Sequence, residues 1–303
     1  MTRTIPDWLE VEPEIRRALE GGGPVVALES TVLTHGLPRP INLELARRME
    51  GEVRRAGALP ATAAVLHGKP RLGLKPEELQ VLAMQEGALK VSLRDLGAAR
   101  VSGASGGTTV AATMYLAQAA GVRVFATGGI GGVHRGATGD VSADLPALAG
   151  MQVAVVCAGA KAILDLPRTL EWLETAGIPV IGLGTDEFPS FYSRESGLTV
   201  SARAEDAAGA ALLLRQHWDL GLPGGVLVCV PCPADEAVDP QTIAQALERA
   251  EREAQAAGVR GPRLTPYLLA RIVELTEGQA LRANLALLQQ NARVAAEIAV
   301  ALA

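Results

Sequence analysis

Residues 155–166 read VVCAGAKAILDL, and this short stretch sets the reading of the whole chain. It continues the apolar run QVAVVC into a tight turn of small residues, Ala158, Gly159 and Ala160, and then a lysine, Lys161. The amphipathic segment LDLPRTLEWLETAG follows at once. An apolar, β-branched run that gives way to an amphipathic helix is the repeating unit of a sheet buried on both faces. The same alternation recurs on either side. PVVALES precedes INLELARRMEGEVRRAG, RVFATGG precedes the segment near Leu145, IPVIGLG precedes AEDAAGAALLLRQHWDLG, and GGVLVCV precedes DPQTIAQALERAEREAQAAG. The expected class is α/β, with one domain over residues 1–303, because no low-complexity linker or internal repeat divides the chain. From Thr265 onward the sequence reads as helix throughout, with Leu268, Ile272 and Leu275 on one face.

In sheets of this kind the chemistry collects where loops leave the carboxyl ends of the strands. The exits here are LESTVLTHGLPRP, TGGIGGVHRGATGDVSAD, CAGAKAILD and the glycine-rich VSGASGGTTVAATM, a density of glycine and small polar residues that suits one shared pocket. Lys161 stands out among them. The chain has 28 basic residues, and only Lys69, Lys75, Lys90 and Lys161 are lysine. Where a plain positive charge suffices, this sequence uses arginine. A lysine retained in an apolar turn can instead lose its proton and attack a carbonyl, which a guanidinium cannot do. The alternative is a lysine that snorkels from a helix start.

Composition narrows the partners. The chain has 303 residues, 49% of them hydrophobic, and a net charge of −5. No basic block alternates with aromatics, so nucleic acid is not an expected partner. The most apolar stretch, Leu145 to Ala160, is interrupted and too short to span a bilayer, so no membrane is expected either. The acidic, amphipathic start MTRTIPDWLEVEPEIRR lacks the apolar core of a signal peptide, which points to the cytoplasm. Three cysteines, Cys157, Cys229 and Cys232, suit a reducing compartment better than a disulfide framework. Scarce asparagine and arginine in place of lysine fit a heat-adapted source or a GC-rich genome.

The motifs each carry two readings. Gly106 and Gly107 before Thr108, Thr109 and a helix could cradle a phosphate, or Thr109 could simply cap that helix. Asp140 and Asp144 flank Ser142 on a glycine-rich loop. They could hold a hard divalent ion that keeps its waters, or one of them could cap a helix beginning near Ala143. Glu29 closes an apolar strand, where desolvation would raise its pKa and make it a proton donor. A strand-end acid paired with an arginine is the alternative. His35 and His134 sit on two of these loops and could orient a substrate.

At these residues the chain resembles the pseudouridine-5′-phosphate glycosidases, also called the indigoidine-synthase-A-like proteins. The stretches that carry the resemblance are ALESTVLTHGLPRP, GGTTVAATM, VFATGGIGGVHRG, DVSADL, VVCAGAKAILDL, TLEWLETAGIPVIG and TPYLLARIVELTEGQALRANLALLQQNARVAAEIA. They follow in order over nearly the whole chain. The resemblance implies a three-layer α/β/α fold with a central mixed β-sheet and a homotrimer. It also implies cleavage of the carbon–carbon glycosidic bond of pseudouridine 5′-phosphate to uracil and ribose 5-phosphate with a divalent metal, commonly Mn²⁺. It assigns Glu29 as proton donor, Lys161 as covalent nucleophile and Asp140 as metal ligand. Substrate contacts are implied for Lys90, for Val110 in TTVAAT, for Ser142, Ala143 and Asp144, and for Asn284 or else Asn291; Thr108, Thr109 and His134 join them as candidate substrate contacts from the motif readings above. Two departures stand out: the stretch between Arg135 and Asp140 is short for the family, and Ser105 replaces a common asparagine.

The implied chemistry gives Lys161 a purpose. An ordinary glycosidase protonates a leaving oxygen between two carboxylates, but carbon C5 of uracil cannot leave that way. A ring-opened ribose held as an imine on Lys161 permits a retro-aldol-like rupture. Two other classes share some of these residues: a lysine-imine aldolase on another sugar phosphate, and a non-catalytic sugar-phosphate-binding protein.

Overall fold

The computed structural model describes residues 4–136, 139–260 and 264–303. In chain order the elements begin β1 (Glu10–Val11), α1 (Pro13–Glu20), β2 (Val25–Leu28), a π-helical turn (Val32–Gly36), α2 (Ile41–Arg55), β3 (Leu59–Leu66) and β4 (Lys69–Leu72). The middle of the chain supplies α3 (Pro76–Met84), β5 (Leu89–Val91), a 3₁₀ turn (Leu93–Asp95), α4 (Leu96–Ser102), β6 (Gly106–Thr108), α5 (Val110–Ala120) and β7 (Val124–Ala126). Then come α6 (Asp144–Gly150), β8 (Ala154–Cys157), α7 (Leu166–Thr175), β9 (Val180–Leu183) and β10 (Ala202–Ala204). The last elements are α8 (Ala207–Asp219), β11 (Val226–Cys229), α9 (Pro240–Ala256), α10 (Leu264–Leu275) and α11 (Gln279–Leu302).

The apolar runs become the centre of the sheet. Every residue of β2, β7, β8 and β11 is buried, as strands covered on both faces must be. They pair in parallel in the order β3-β2-β7-β8-β11-β9-β10. The helices between them start on side-chain caps that the sequence supplies. Asp165 accepts from Arg168 N at 3.1 Å, Asp206 from Gly209 N at 2.8 Å and Asp239 from Thr242 N at 2.8 Å. Helix α11 packs across β2, β7 and β8 with α2 and α8 beside it, while α5 packs against β2, β3 and β7. The mixed sheet with helices on both sides matches the expected three-layer α/β/α architecture.

Strand β3 makes the sheet mixed. Its first half, Leu59–Thr62, runs parallel to β2, and its second half, Ala63–Leu66, pairs antiparallel with β4. Ala64 and Val65 also pair antiparallel with β6, which continues to β5. Here two expectations are corrected. The segment GGT is strand β6 rather than an open loop. A Cβ on Gly107 would stand 2.4 Å from Thr34 Oγ1 and 2.6 Å from Ser30 O, so glycine there serves close packing beneath the π-helical turn. The C-terminal run is also two helices, α10 and α11. They are separated at Thr276–Gly278, where Gly278 takes a left-handed φ of 79° and the Thr276 hydroxyl donates to Ile272 O at 2.8 Å.

Candidate active site

Past their last ladder residues, β7 and β8 keep their alignment and carry the site. Ala158 N donates to Gly128 O at 2.9 Å, Ile130 N to Gly159 O at 3.0 Å and Lys161 N to Ile130 O at 3.0 Å. The backbone of Lys161 is therefore fixed in a turn that precedes α7, which begins five residues later at Leu166. Glu29 follows β2 directly and is 6% exposed. Lys90 lies in β5, which β6 joins to β3. Two strand exits and β5 thus bring one carboxyl and two amines to one cavity of about 560 Å³.

The rest of the lining divides by chemistry. Thr31, Thr34 and His35 of the π-helical turn supply polar groups, and the Thr34 hydroxyl lies 2.7 Å from His35 Nδ1. Leu269 and Val273 of α10, Leu281 and Leu288 of α11, and Phe191 form an apolar wall, with Asn284 among them. Asn284 is thus the asparagine of the cavity. Asn291 is wholly buried instead, its amide donating to Thr127 O at 2.8 Å.

Electrostatics follow from burial. Desolvation pushes the Glu29 carboxyl above its ordinary range, against the pull of Lys161, a hydrogen bond from the Thr127 hydroxyl, and Lys90. Burial pushes the Lys90 amine down, helped by the positive charge of Lys161 and opposed by Glu29 and Asp144. Burial and Lys90 together hold His35 below its usual value. The expected alternative for Glu29, a pairing with arginine, is not the arrangement found.

The loop from Gly131 to Asp144 serves differently. Asp144 is 6% exposed, and both its oxygens are used: Oδ1 accepts from Ala111 N at 3.0 Å and Oδ2 from Gly131 N at 2.8 Å. An aspartate does cap a helix, but the helix is α5 rather than the one beginning near Ala143. This occupies a backbone donor that a phosphate at the start of α5 would need. Thr109 caps the same helix, accepting from Ala112 N at 3.4 Å. Thr108 is buried with its hydroxyl 3.0 Å from Ala63 O, and Val110 is buried in the core. In the glycine-rich segment the glycines are squeezed between strands, and the helix start is capped by the protein's own groups. Ser142 Oγ accepts from Asp144 N at 3.3 Å, and Ala143 precedes α6. Asp140 is exposed, with its carboxylate 3.9 Å from His134 Nε2. None of Thr108, Thr109, Val110, His134, Asp140, Ser142, Ala143 and Asp144 lines the cavity. Ala137 and Thr138, within the short stretch before Asp140, lie outside the described residues.

Sequence reasoning missed Thr127, Phe191, Tyr192 and the α10 wall. A signal for the aromatic pair was present: the chain has only three phenylalanines and three tyrosines, and two of these six are adjacent in SFYS. Cys229 stands in register with Cys157 on the neighbouring strand, and all three cysteines are unbridged and buried.

A buried acid and two lysines at the carboxyl edge of a parallel sheet define an α/β protein with a site suited to covalent amine chemistry. The chain belongs to the indigoidine synthase A-like protein family, whose model matches residues 14–301. It is 54% identical over 297 residues to a pseudouridine-5′-phosphate glycosidase of Caldanaerobacter subterraneus subsp. tengcongensis, covering 97% of each chain. It is 56% identical over 302 residues to that of Sorangium cellulosum, covering 99% of this chain and 95% of the other. Among solved structures it resembles the prealnumycin C-glycosynthase AlnA in complex with ribulose 5-phosphate, at 40% identity and a TM-score of 0.91, over 98% of this chain and 97% of that one. An indigoidine synthase A-like protein of Thermotoga maritima is similar at 39% identity and a TM-score of 0.88, over 96% and 95%.

Proposed function

We propose that the protein is a pseudouridine-5′-phosphate glycosidase that reversibly cleaves the carbon–carbon glycosidic bond to give uracil and ribose 5-phosphate. The observation that carries this reading is the convergence of the buried Glu29 carboxyl with Lys161 in one cavity, in a chain more than half identical to proteins of that name. The sugar phosphate held by the C-glycosynthase neighbour supports the substrate class.

Each group has a step. Glu29, which burial biases toward its protonated form, gives its proton to the ribose ring oxygen, and the ring opens. The amine of Lys161 adds at C1′. The added nitrogen loses a proton to the Glu29 carboxylate, and a proton is placed on C5, which becomes tetrahedral. The C1′–C5 bond then breaks: its electron pair becomes the C5=C6 double bond of uracil, conjugated with the adjacent carbonyl, while the lysine nitrogen lone pair forms the C1′=N bond. Water hydrolyses the imine to release ribose 5-phosphate and free Lys161. Lys90 and the hydroxyls of Thr31 and Thr34 face the substrate's charge, and the apolar wall faces the base. Asn284 supplies an amide beside that wall.

A divalent ion, Mn²⁺ by the family resemblance, would be held by Asp140. Among the described residues no group of three or more His, Cys, Asp or Glu is placed to bind a metal. The exposed single carboxylate fits a hard ion that keeps most of its waters. When bound, it would supply positive charge for substrate placement. A homotrimer in the cytoplasm is the setting we assign, supported by the family resemblance and by three unbridged cysteines. No helix of the described residues is long and apolar enough to cross a membrane.

Borohydride trapping tests the assignment. Enzyme incubated with ribose 5-phosphate and reductant should gain one sugar-phosphate adduct on the peptide containing CAGAKAILDL, with Lys90 unlabelled. Lys161→Arg keeps the charge but removes the nucleophile, so labelling and uracil release from pseudouridine 5′-phosphate should both vanish while the fold persists. An adduct on Lys90, or substantial uracil release by the folded variant, would overturn it.

A further inference from the structure

Thr127 lies just past β7 and is fully buried, and each of its polar atoms is taken by a different element. Its N–H donates to Val156 O of β8 at 3.0 Å. Its carbonyl accepts from Asn291 Nδ2 of α11 at 2.8 Å. Its hydroxyl donates to Glu29 Oε1. With N–H and C=O both anchored, the residue cannot turn without breaking a buried bond. Asn291 holds its side of this arrangement at a cost: it is 0% exposed, and its Oδ1 has no hydrogen-bond partner. An amide retained there has work to do at Thr127.

We infer that Thr127, aimed by Asn291, is the positioning residue of the proton donor: by donating to Oε1 of Glu29 it leaves Oε2 as the oxygen that carries the mobile proton. The inference rests on the reading of Glu29 as the acid of the reaction. The consequence is directional. A carboxylic acid in a dry cavity can carry its proton on either oxygen, and a proton on the wrong one cannot reach the substrate. The Thr127 hydroxyl removes that ambiguity. It also offsets part of the desolvation of the carboxylate, alongside Lys161 and Lys90, which draw the group toward ionisation, and against Asp144, which opposes it. His35, Tyr192 and Glu274 are further titratable groups that line the same cavity.

The test reads the protonation of Glu29 directly in free enzyme. The infrared band of the protonated carboxyl is assigned by its loss in Glu29→Gln and titrated against pH. Thr127→Val, which removes the hydroxyl and keeps the shape, should raise the midpoint by about 1–2 pH units, since a hydrogen bond to the ionised form is lost. Thr127→Ser should restore it close to the starting value. Asn291→Leu should raise the midpoint by a smaller amount and lower kcat about tenfold; because it also strips the buried Thr127 carbonyl of its donor, Tm should fall, and the midpoint is the deciding readout. A purely structural role would lower Tm and leave the midpoint still. An unmoved midpoint in folded Thr127→Val would overturn the inference, and if that variant does not fold, an unmoved midpoint in Asn291→Leu would do so. Because the titration needs no substrate, a shifted midpoint in an enzyme that releases no uracil would support Thr127's hold on Glu29 while counting against the proposed reaction.

Discussion

Glu29 and Asp144 are equally buried, each 6% exposed, yet their surroundings differ in kind. Asp144 sits where two backbone N–H groups, Ala111 at the start of α5 and Gly131, point at its two oxygens. Those dipoles replace the water that burial removed, and the helix start adds positive potential. Glu29 has one hydroxyl and two amines near it and no backbone donor on its carboxyl among the described residues. Burial therefore dominates there and favours the protonated form. The difference supports the roles proposed above: Asp144, with both oxygens hydrogen-bonded, holds the loop to α5, and Glu29, with fewer donors, suits a proton donor.

The largest effect should come from breaking the anchor. Asp144→Asn keeps size but places an NH₂ where one backbone N–H needs an acceptor, and the remaining hydrogen bond loses its charge. Two charge-assisted bonds weakened or reversed predict a loss of about 3 kcal/mol in urea unfolding. A loss below about 1 kcal/mol would mean that Asp144 is not the structural partner its geometry describes.

Asp140 tests the exposed side of the same loop. It makes no buried contact, so Asp140→Ala should change stability by less than about 0.5 kcal/mol. Uracil release should nonetheless fall roughly a hundredfold, because substrate placement suffers. Chelation of wild-type enzyme should reproduce that loss, and added Mn²⁺ should no longer help the variant. Full activity of wild type in EDTA would remove the metal from the reading.

What the sequence disclosed follows the same division. Glu29 and Lys161 were legible because each sits at the end of a strand whose apolar run is contiguous in sequence, and a charged residue at such a point is conspicuous. The parallel core was legible for the same reason. The glycine-rich segment read as a loop but is strand β6, where Gly106 and Gly107 allow a close approach to Leu89, Ser30 and Thr34, residues far away along the chain. Nothing local distinguishes a glycine kept for a ligand from one kept for a neighbouring strand. Asp144 misled likewise: its capping role belongs to α5, more than thirty residues earlier. Thr127 and Asn291 were out of reach for a different reason, because their roles exist only once α11 lies across the sheet.

The smallest predicted effect sharpens the contrast between the two acids through stability. Burial raises the folded-state pKa of Glu29 above the 4.5 of a free glutamate. Between those two values the folded protein binds more protons than the unfolded chain, so the contribution of Glu29 to stability is fully present below about pH 4.5 and is lost as pH rises through the folded value. Glu29→Gln cannot ionise and escapes that loss, and its amide oxygen can still accept from Thr127. Its Tm relative to wild type should therefore climb as pH rises from about 4.5 and level off once wild-type Glu29 is ionised in both states, reaching a few degrees, about 2–4 °C. Thermal unfolding at a series of pH values measures this difference without reference to any substrate. If the difference instead fell with rising pH, Lys161 and Lys90 would outweigh desolvation. Glu29 would then be an ion-paired carboxylate, and the proton that opens the ribose ring would have to come from another group.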